Sequence, residues 1–404
     1  MRRVAITGMG ILSCIGNSSQ EVLQSLQRGR SGIEIIPERK SLGFRSALGG
    51  RIKGLPPPTI PKRNLRQMGP GSYLVVHAAL QALEDARLEV YQIQHDRAGI
   101  IIGNIGNMQD IYRQCSVVHE RKQKLGGIAY QKVMGCSVSG NLSVLLGTQG
   151  YSLTVTAACA TGAAAIGHAA QLISGGLQDI CICGGVQEDS WEYFCHLDAL
   201  QVFSTREDEP IKASRPFDRY RDGLVPSAGC GILLLEELEQ ACRRGAKIYA
   251  ELIGYAFTSD GYDMTLPSGE GMVRCMERAL KYAEITPSQV NYVNAHATST
   301  RVGDAMEAQA ITRVFGKGPY VSSTKSMTGH EQGASGSNEI IYTLLMMGYN
   351  FIAPNINLEE IDAQCEGINL VANHPLETKI NMAVSNAFGF GGVNTSIVLK
   401  RYSP

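Results

Sequence analysis

The stretch Val155-Thr156-Ala157-Ala158-Cys159-Ala160-Thr161-Gly162, followed by Ala163-Ala164-Ala165-Ile166-Gly167-His168-Ala169-Ala170, constrains the fold of this chain more than any other. A β-branched run ends and a helix built almost wholly of small residues begins. Small residues let such a helix pack in an interior, where other backbones come close. Cys159 sits on the sharp strand-to-helix turn, close to a helix N-terminus. The partial positive charge there favours thiolate over thiol. Free cysteines usually just fill space in a core. One placed like this is also a candidate for covalent acyl catalysis, and its partners along the chain decide between the two.

The 404 residues are too many for one small core, so one large α/β unit or two core-sized halves are expected. Formal net charge is zero, which gives no sign of bulk nucleic-acid binding or of an acidic partner surface. With 18% charged residues and 45 glycines, the composition fits a buried, loop-rich enzyme core rather than a disordered or coiled-coil chain. No apolar run is long enough to span a bilayer. Met1-Arg2-Arg3-Val4-Ala5-Ile6-Thr7-Gly8 runs straight into a strand, without the long apolar stretch and cleavage site of a signal peptide. The eleven cysteines are scattered. Cys181 and Cys183, the one close pair, fall in a run that reads as a buried strand, and no second pair completes a zinc site. A reduced, cytoplasmic protein without a metal is expected.

Short apolar β-branched runs at Val4 to Thr7, Ala98 to Ile102 and Ile180 to Cys183 alternate with helical patterns such as Tyr73 to Leu83. The C-terminal half repeats the alternation, with strands near Val290 to Asn294, Pro319 to Ser322, Asn381 to Ser385 and Thr395 to Lys400. Gly231 to Glu236 reads as a central strand before a helix over Glu237 to Arg244. Such alternation predicts an α/β fold with buried sheets. Gly54 to Pro61, with four prolines, can only be an exposed loop. The seam is expected near Gly245, dividing the chain into 1–245 and 246–404.

Three further segments stand out: Asn294-Ala295-His296-Ala297-Thr298-Ser299-Thr300-Arg301-Val302-Gly303-Asp304; Ser322 to His330 running on to Glu339; and Ser385-Asn386-Ala387-Phe388-Gly389-Phe390-Gly391-Gly392-Val393-Asn394. Singly each is weak. A histidine after a strand is often a satisfied structural group, Lys325 can be a solvated loop lysine, and a glycine cluster without the Walker pattern can be an ordinary turn. Together, a thiolate, two histidines and a lysine at strand ends suit acyl transfer combined with decarboxylation. The imidazoles can donate hydrogen bonds to a thioester carbonyl as an enolate develops, and backbone N–H groups at Cys159 and Phe388 can form an oxyanion hole.

In this order the constellation resembles the elongating β-ketoacyl-[acyl-carrier-protein] synthases, thiolase-fold condensing enzymes of type II fatty acid synthesis. The resemblance runs from Val4-Ala5-Ile6-Thr7-Gly8-Met9-Gly10 to the Phe388–Asn394 motif, and Ala213-Ser214-Arg215-Pro216-Phe217-Asp218 and Pro267 to Met276 lean toward the first elongating class. It implies an α/β thiolase-like fold of two duplicated halves, with two five-stranded mixed sheets in an αβαβα sandwich, dimerised through the N-terminal half. It makes Cys159 the acyl acceptor, and His296 and His330 the pair that promotes malonyl decarboxylation. Lys325 becomes a cationic support with Glu339 its partner, and Thr298 and Thr300 become contacts of the pantetheine arm. Phe388 becomes a gate freed by its neighbours Gly389 and Phe390-Gly391, with Asp304 and Glu307 in supporting places. It implies no metal or nucleotide. The partner is an acyl carrier protein, acyl- or malonyl-loaded, and the assembly a homodimer, with a heterodimer as the alternative.

The chain departs from the family pattern at Ala297 (usually glycine), Arg301 (usually proline), Leu224 to Gly229 (usually a glycine-rich turn) and Glu331-Gln332 (usually apolar and glycine residues). An ionisable group beside a catalytic histidine can alter its protonation. Asn107 and Met108 fall where the family's acyl pocket is often lined by smaller residues, so Met108 is expected to shape that pocket. These changes keep a dedicated ketosynthase of a polyketide, polyene or other specialised lipid pathway as the alternative to fatty acid elongation. A degradative thiolase would need a C-terminal Cys-x-Gly, an initiating condensing enzyme an asparagine with one histidine, and a hydrolase Gly-x-Ser-x-Gly; none is present. A non-catalytic chain-length partner would lack Cys159. Two basic clusters, Lys62, Arg63 and Arg66, and Arg121, Lys122 and Lys124, are expected to dock an acidic carrier protein, the rival reading being a solvated helix face.

Overall fold

The computed structural model describes residues 1–403. The strands of its main sheet are β1 (Val4–Ser13), β2 (Ala98–Asn104), β3 (Ser152–Val155), β4 (Ile180–Gln187), β5 (Gly229–Glu237), β6 (Ala250–Ser259), β7 (Tyr292–Asn294), β8 (Tyr320–Ser322), β9 (Asn369–Leu370), β10 (Met382–Gly389) and β11 (Val393–Arg401). They form one 11-stranded sheet in the order β9-β8-β7-β10-β11-β6-β1-β5-β4-β2-β3. Outward from β1 the pairings run antiparallel to β5, antiparallel to β4, parallel to β2 and parallel to β3. Outward from β6 they run antiparallel to β11, antiparallel to β10, then parallel to β7 and β8. The two halves therefore repeat one topology.

One expectation is corrected. The halves do not carry two separate five-stranded sheets. Ala5 pairs with Glu251 and Ile6 with Ala250, which joins β1 to β6 and makes the sheet continuous. The first strand of each half is an inner edge with free backbone groups, and two such edges meeting antiparallel satisfy each other. Arg3 clamps the same seam with hydrogen bonds of 2.7 and 2.8 Å to the Glu251 carboxylate.

The helices that bear on the site are α1 (Pro70–Asp85), α2 (Thr161–Ser174), α3 (Glu270–Tyr282), α4 (Arg301–Phe315) and α5 (Ser335–Tyr349). α1 packs on β1 and β5, and α3 on β6 and β11, while α2 and α5 pack on each other between the two halves. α2 and α5 are apolar or small around nearly their whole circumference, as a helix buried on all sides must be. Their contact is close enough to require glycine: a Cβ on Gly336 would lie 2.7 Å from the Ala163 Cβ, and one on Gly162 would lie 2.9 Å from the Gly333 carbonyl. This explains the run of small residues after Cys159.

Gly54 to Pro61 forms no regular element. All eleven cysteines are free. Among the described residues no helix is long and apolar enough to cross a membrane.

Candidate active site

The parallel strands of both halves end at one place, and the ends of parallel strands in α/β sheets are where ligands bind. β3 leads to Cys159, β7 to His296, β8 to Lys325 and His330, and β10 to Phe388. The turn before the thiol is strained, because Ala158 has φ +45° in the left-handed region. The sulfur then stands at the start of α2, at the base of a cavity of about 430 Å³.

The reacting donor atoms of Cys159, His296 and His330 all lie within 4.8 Å of one another. The imidazole centroids are 5.3 Å apart at 84°, and Phe388 packs edge-on against His296 with centroids 6.2 Å apart. The Lys325 Nζ lies 3.3 Å from His296 Nδ1 and also contacts the Glu339 carboxylate on α5. An ammonium has only protons to give. It therefore makes Nδ1 of His296 the acceptor and leaves that ring's proton on Nε2. The Ser335 hydroxyl is 2.9 Å from His330 Nδ1, and the His330 Nε2 has no partner in the protein. Burial and the Lys325 charge hold both histidines well below their ordinary range, so both are neutral donors at pH 7. A Cys-His-His cluster is also a donor set that metals favour. Here the Lys325 ammonium touching His296 opposes a second cation, and the arrangement fits acyl chemistry.

The loop of His296 is pinned from below. Glu307 on α4 accepts from the backbone N–H of His296 at 2.8 Å and of Ala297 at 2.7 Å. Burial nevertheless lifts its carboxyl to about 7. Asp304 likewise accepts from the N–H of Ser299 and of Phe217. The unusual turn at Val225-Pro226 runs beside His330: the His330 N–H donates to the Val225 carbonyl at 2.7 Å, and the Ser227 N–H to the His330 carbonyl at 3.0 Å. Lys325, expected beside His330, bonds His296 instead and pairs with Glu339; Thr298 and Thr300 line the cavity, their hydroxyls 3.1 Å apart.

Four readings change. The thiol is not a resting thiolate: burial pushes Cys159 up to about 11, outweighing Lys325 and the nearby N–H groups. The backbone N–H groups facing the sulfur are those of Cys159 and Phe390, not Phe388. Phe388 lies within the β10–β11 ladder opposite Asn394, whereas Phe390 lies past the strand end with its backbone free. Gly391 and Gly392 beside it have φ of +82° and +68°. Asn107 and Met108 do not line the cavity; Asn107 is tied to Asn104 and to the Met134 carbonyl. Leu197, Leu200, Val202 and Leu224 form the apolar wall instead, beside Phe390. Glu331 points away from His330, into a buried cluster with Asn338 and Tyr342.

Sequence reasoning missed Ser335 as the partner of His330, and Gln332 as a neighbour of the thiol. Cys159 Sγ donates to the Gln332 Oε1 at 3.9 Å. The departure of Glu331-Gln332 from the family pattern was the available signal. Lys62, Arg63, Arg66, Arg121, Lys122 and Lys124 are all exposed. The helix Lys62–Gln67 packs on the short helix Ala129–Val133, a few residues beyond the second basic cluster.

A thiol, two neutral imidazole donors and a buried ammonium at the junction of duplicated α/β halves define a thiolase-like condensing enzyme. The family model "Beta-ketoacyl synthase, N-terminal domain" matches residues 1–241, and "Beta-ketoacyl synthase, C-terminal domain" matches 249–359. The chain belongs to the β-ketoacyl synthase family. It is 45% identical over 408 residues to the 3-oxoacyl-[acyl-carrier-protein] synthase 1 of Haemophilus influenzae, covering 100% of both chains. A β-ketoacyl synthase from Burkholderia phymatum superposes with a TM-score of 0.96 at 36% identity over 100% of both chains. A type II polyketide ketosynthase, solved in complex with its acyl-carrier protein and bound to the hexaketide, superposes at 0.90 and 30% identity, again over 100% of both chains.

Proposed function

We propose that this enzyme joins an acyl group held on Cys159 to malonyl-acyl carrier protein by decarboxylative Claisen condensation, in fatty acid elongation. The observation that carries the reading is the meeting of the Cys159 sulfur with two neutral imidazoles, one oriented by Lys325, at the base of one cavity. In the first half-reaction the sulfur attacks the acyl thioester. The carbonyl oxygen is held by the N–H groups of Cys159 and Phe390, and the carrier's thiol leaves with the proton. In the second, malonyl thioester loses carbon dioxide. The electron pair left behind is stabilised as an enolate by the Nε2–H groups of His296 and His330. Its carbon attacks the Cys159 thioester, the new C–C bond forms, the C–S bond breaks, and the β-ketoacyl product is two carbons longer.

Thr298 and Thr300, which line the cavity, receive the pantetheine arm, and Phe390, rather than Phe388, acts as the gate. The exposed basic clusters offer a surface for an acidic carrier protein, and the relative solved with its carrier protein supports such a partner. The edge strand β3, with Leu153 exposed and Tyr151 exposed just before it, offers a face for a homodimer. Eleven free thiols suit a reducing cytoplasm. The 45% identity to a fatty acid enzyme against 30% to a polyketide ketosynthase favours elongation over the specialised pathway.

The test is intact-protein mass spectrometry after incubation with a panel of acyl-carrier proteins, wild type beside Cys159→Ala. An acyl adduct on the wild type alone, with saturated fatty acyl groups the best donors, is expected. An adduct that persists in Cys159→Ala, or none from any donor, overturns the reading.

A further inference from the structure

We infer that the Gln332 side-chain amide is the side-chain hydrogen-bond partner of the Cys159 sulfur in both of its protonation states, and so favours the reactive thiolate. Gln332 is 2% exposed and lines the cavity at the thiol. Its backbone is held at φ +46°, in the short 3-10 turn Gln332–Ala334 that follows His330. Its Oε1 accepts from the thiol at 3.9 Å, while its Nε2 is closed off from the cavity and has no partner.

A glutamine amide has an acceptor end and a donor end that exchange places on a half turn about its last bond. With the thiol protonated, S–H points at Oε1. With the thiolate formed, the half turn presents N–H to the sulfur. One end of the amide is unpaired in either state, so that cost cancels between them. A hydrogen bond to an ionised group is roughly twice as strong as one between neutral groups. The net effect is to stabilise thiolate relative to an apolar side chain at the same place. This works against the burial that holds the thiol protonated. The other groups around the sulfur are Lys325 and the backbone N–H groups of Cys159 and Phe390, which favour the thiolate; Glu339, which opposes it; the neutral imidazoles of His296 and His330; and the Tyr193 hydroxyl, itself held un-ionised by burial. Gln332 is the uncharged side chain that hydrogen-bonds the sulfur and is not needed for the enolate.

The inference rests on Cys159 as the acyl acceptor, but its test needs no acyl donor, so the two fail separately. The rate of iodoacetamide alkylation is followed at the Cys159 peptide by mass spectrometry across pH 6–10, for the wild type and for Gln332→Leu, Gln332→Met and Gln332→Glu. The sulfur displaces iodide, and only the thiolate does so at a useful rate. Removing the amide should slow alkylation about tenfold across this range, pH 7.5 included, as an upward shift of about one unit requires of a thiol that is mostly protonated there. The charged Gln332→Glu should slow it further. Melting curves check that each variant is folded, and the Met and Glu variants keep the side chain's length should the Leu variant fail to fold. Unchanged rates in the folded variants, or a faster rate in any of them, overturn the inference.

Discussion

A single ammonium, Lys325, sets the protonation of two neighbours at once. It fixes the tautomer of His296 and compensates a Glu339 carboxyl that burial alone would keep protonated. Lys325→Met should therefore cost ~3 kcal/mol in urea unfolding, because a buried carboxyl loses its partner. The double variant with Glu339→Gln should recover most of that stability but none of the condensation activity. Glu331 behaves oppositely. It has no cation beside it, and burial lifts it to about 8. The unfolded chain ionises this group near its ordinary value, while the folded one holds its proton until about pH 8. Stability should therefore fall as pH rises from about 5 to about 8. Glu331→Gln, which keeps acceptance from Asn338 and can donate to Tyr342, should flatten that slope when unfolding free energies of the two proteins are compared at pH 5 and 8. The chemistry of Cys159, His296, Lys325 and His330 was legible because each lies next to a strand end marked by its own pattern. The protonation of the thiol was not, because burial is a property of everything packed around it.

At the level of elements, the closeness of α2 and α5 decides whether the thiol and the histidines meet. Gly336→Ala should cost about 1–3 kcal/mol by overpacking against Ala163. It should also slow condensation, read from melting temperature and turnover together. The elements themselves were largely legible. Most expected strands and the helix beginning at Pro70 are present, several of them longer than their apolar runs suggested. β6 escaped notice because Glu251 and Gly254 interrupt its apolar pattern, although both of its edges are paired in the sheet. The shift of the oxyanion donor from Phe388 to Phe390 has a similar origin. It depends on where a ladder stops, and strand ends are the least certain part of any pattern.

For the whole molecule, the open edge at β3 and the exposed cations are the features that call for partners. The proposed homodimer should sediment as a dimer in analytical ultracentrifugation and its Leu153→Lys variant as a monomer, since a charge on an edge strand discourages pairing. Arg63→Glu with Arg66→Glu should raise KM for carrier-bound acyl groups about tenfold or more while sparing small thioester mimics. Equal losses with both substrates would reject a docking role. The continuity of the sheet was beyond any local reading, since it rests on the pairing of Ala5 and Ile6 with Glu251 and Ala250, residues remote in sequence.

That narrow join has a consequence for the nascent chain. The thiol comes from one half, and both imidazoles and the ammonium come from the other. A chain whose second half has not yet docked carries a sulfur with no imidazole beside it, so the cluster of Cys159, His296 and His330 exists only once both halves have met.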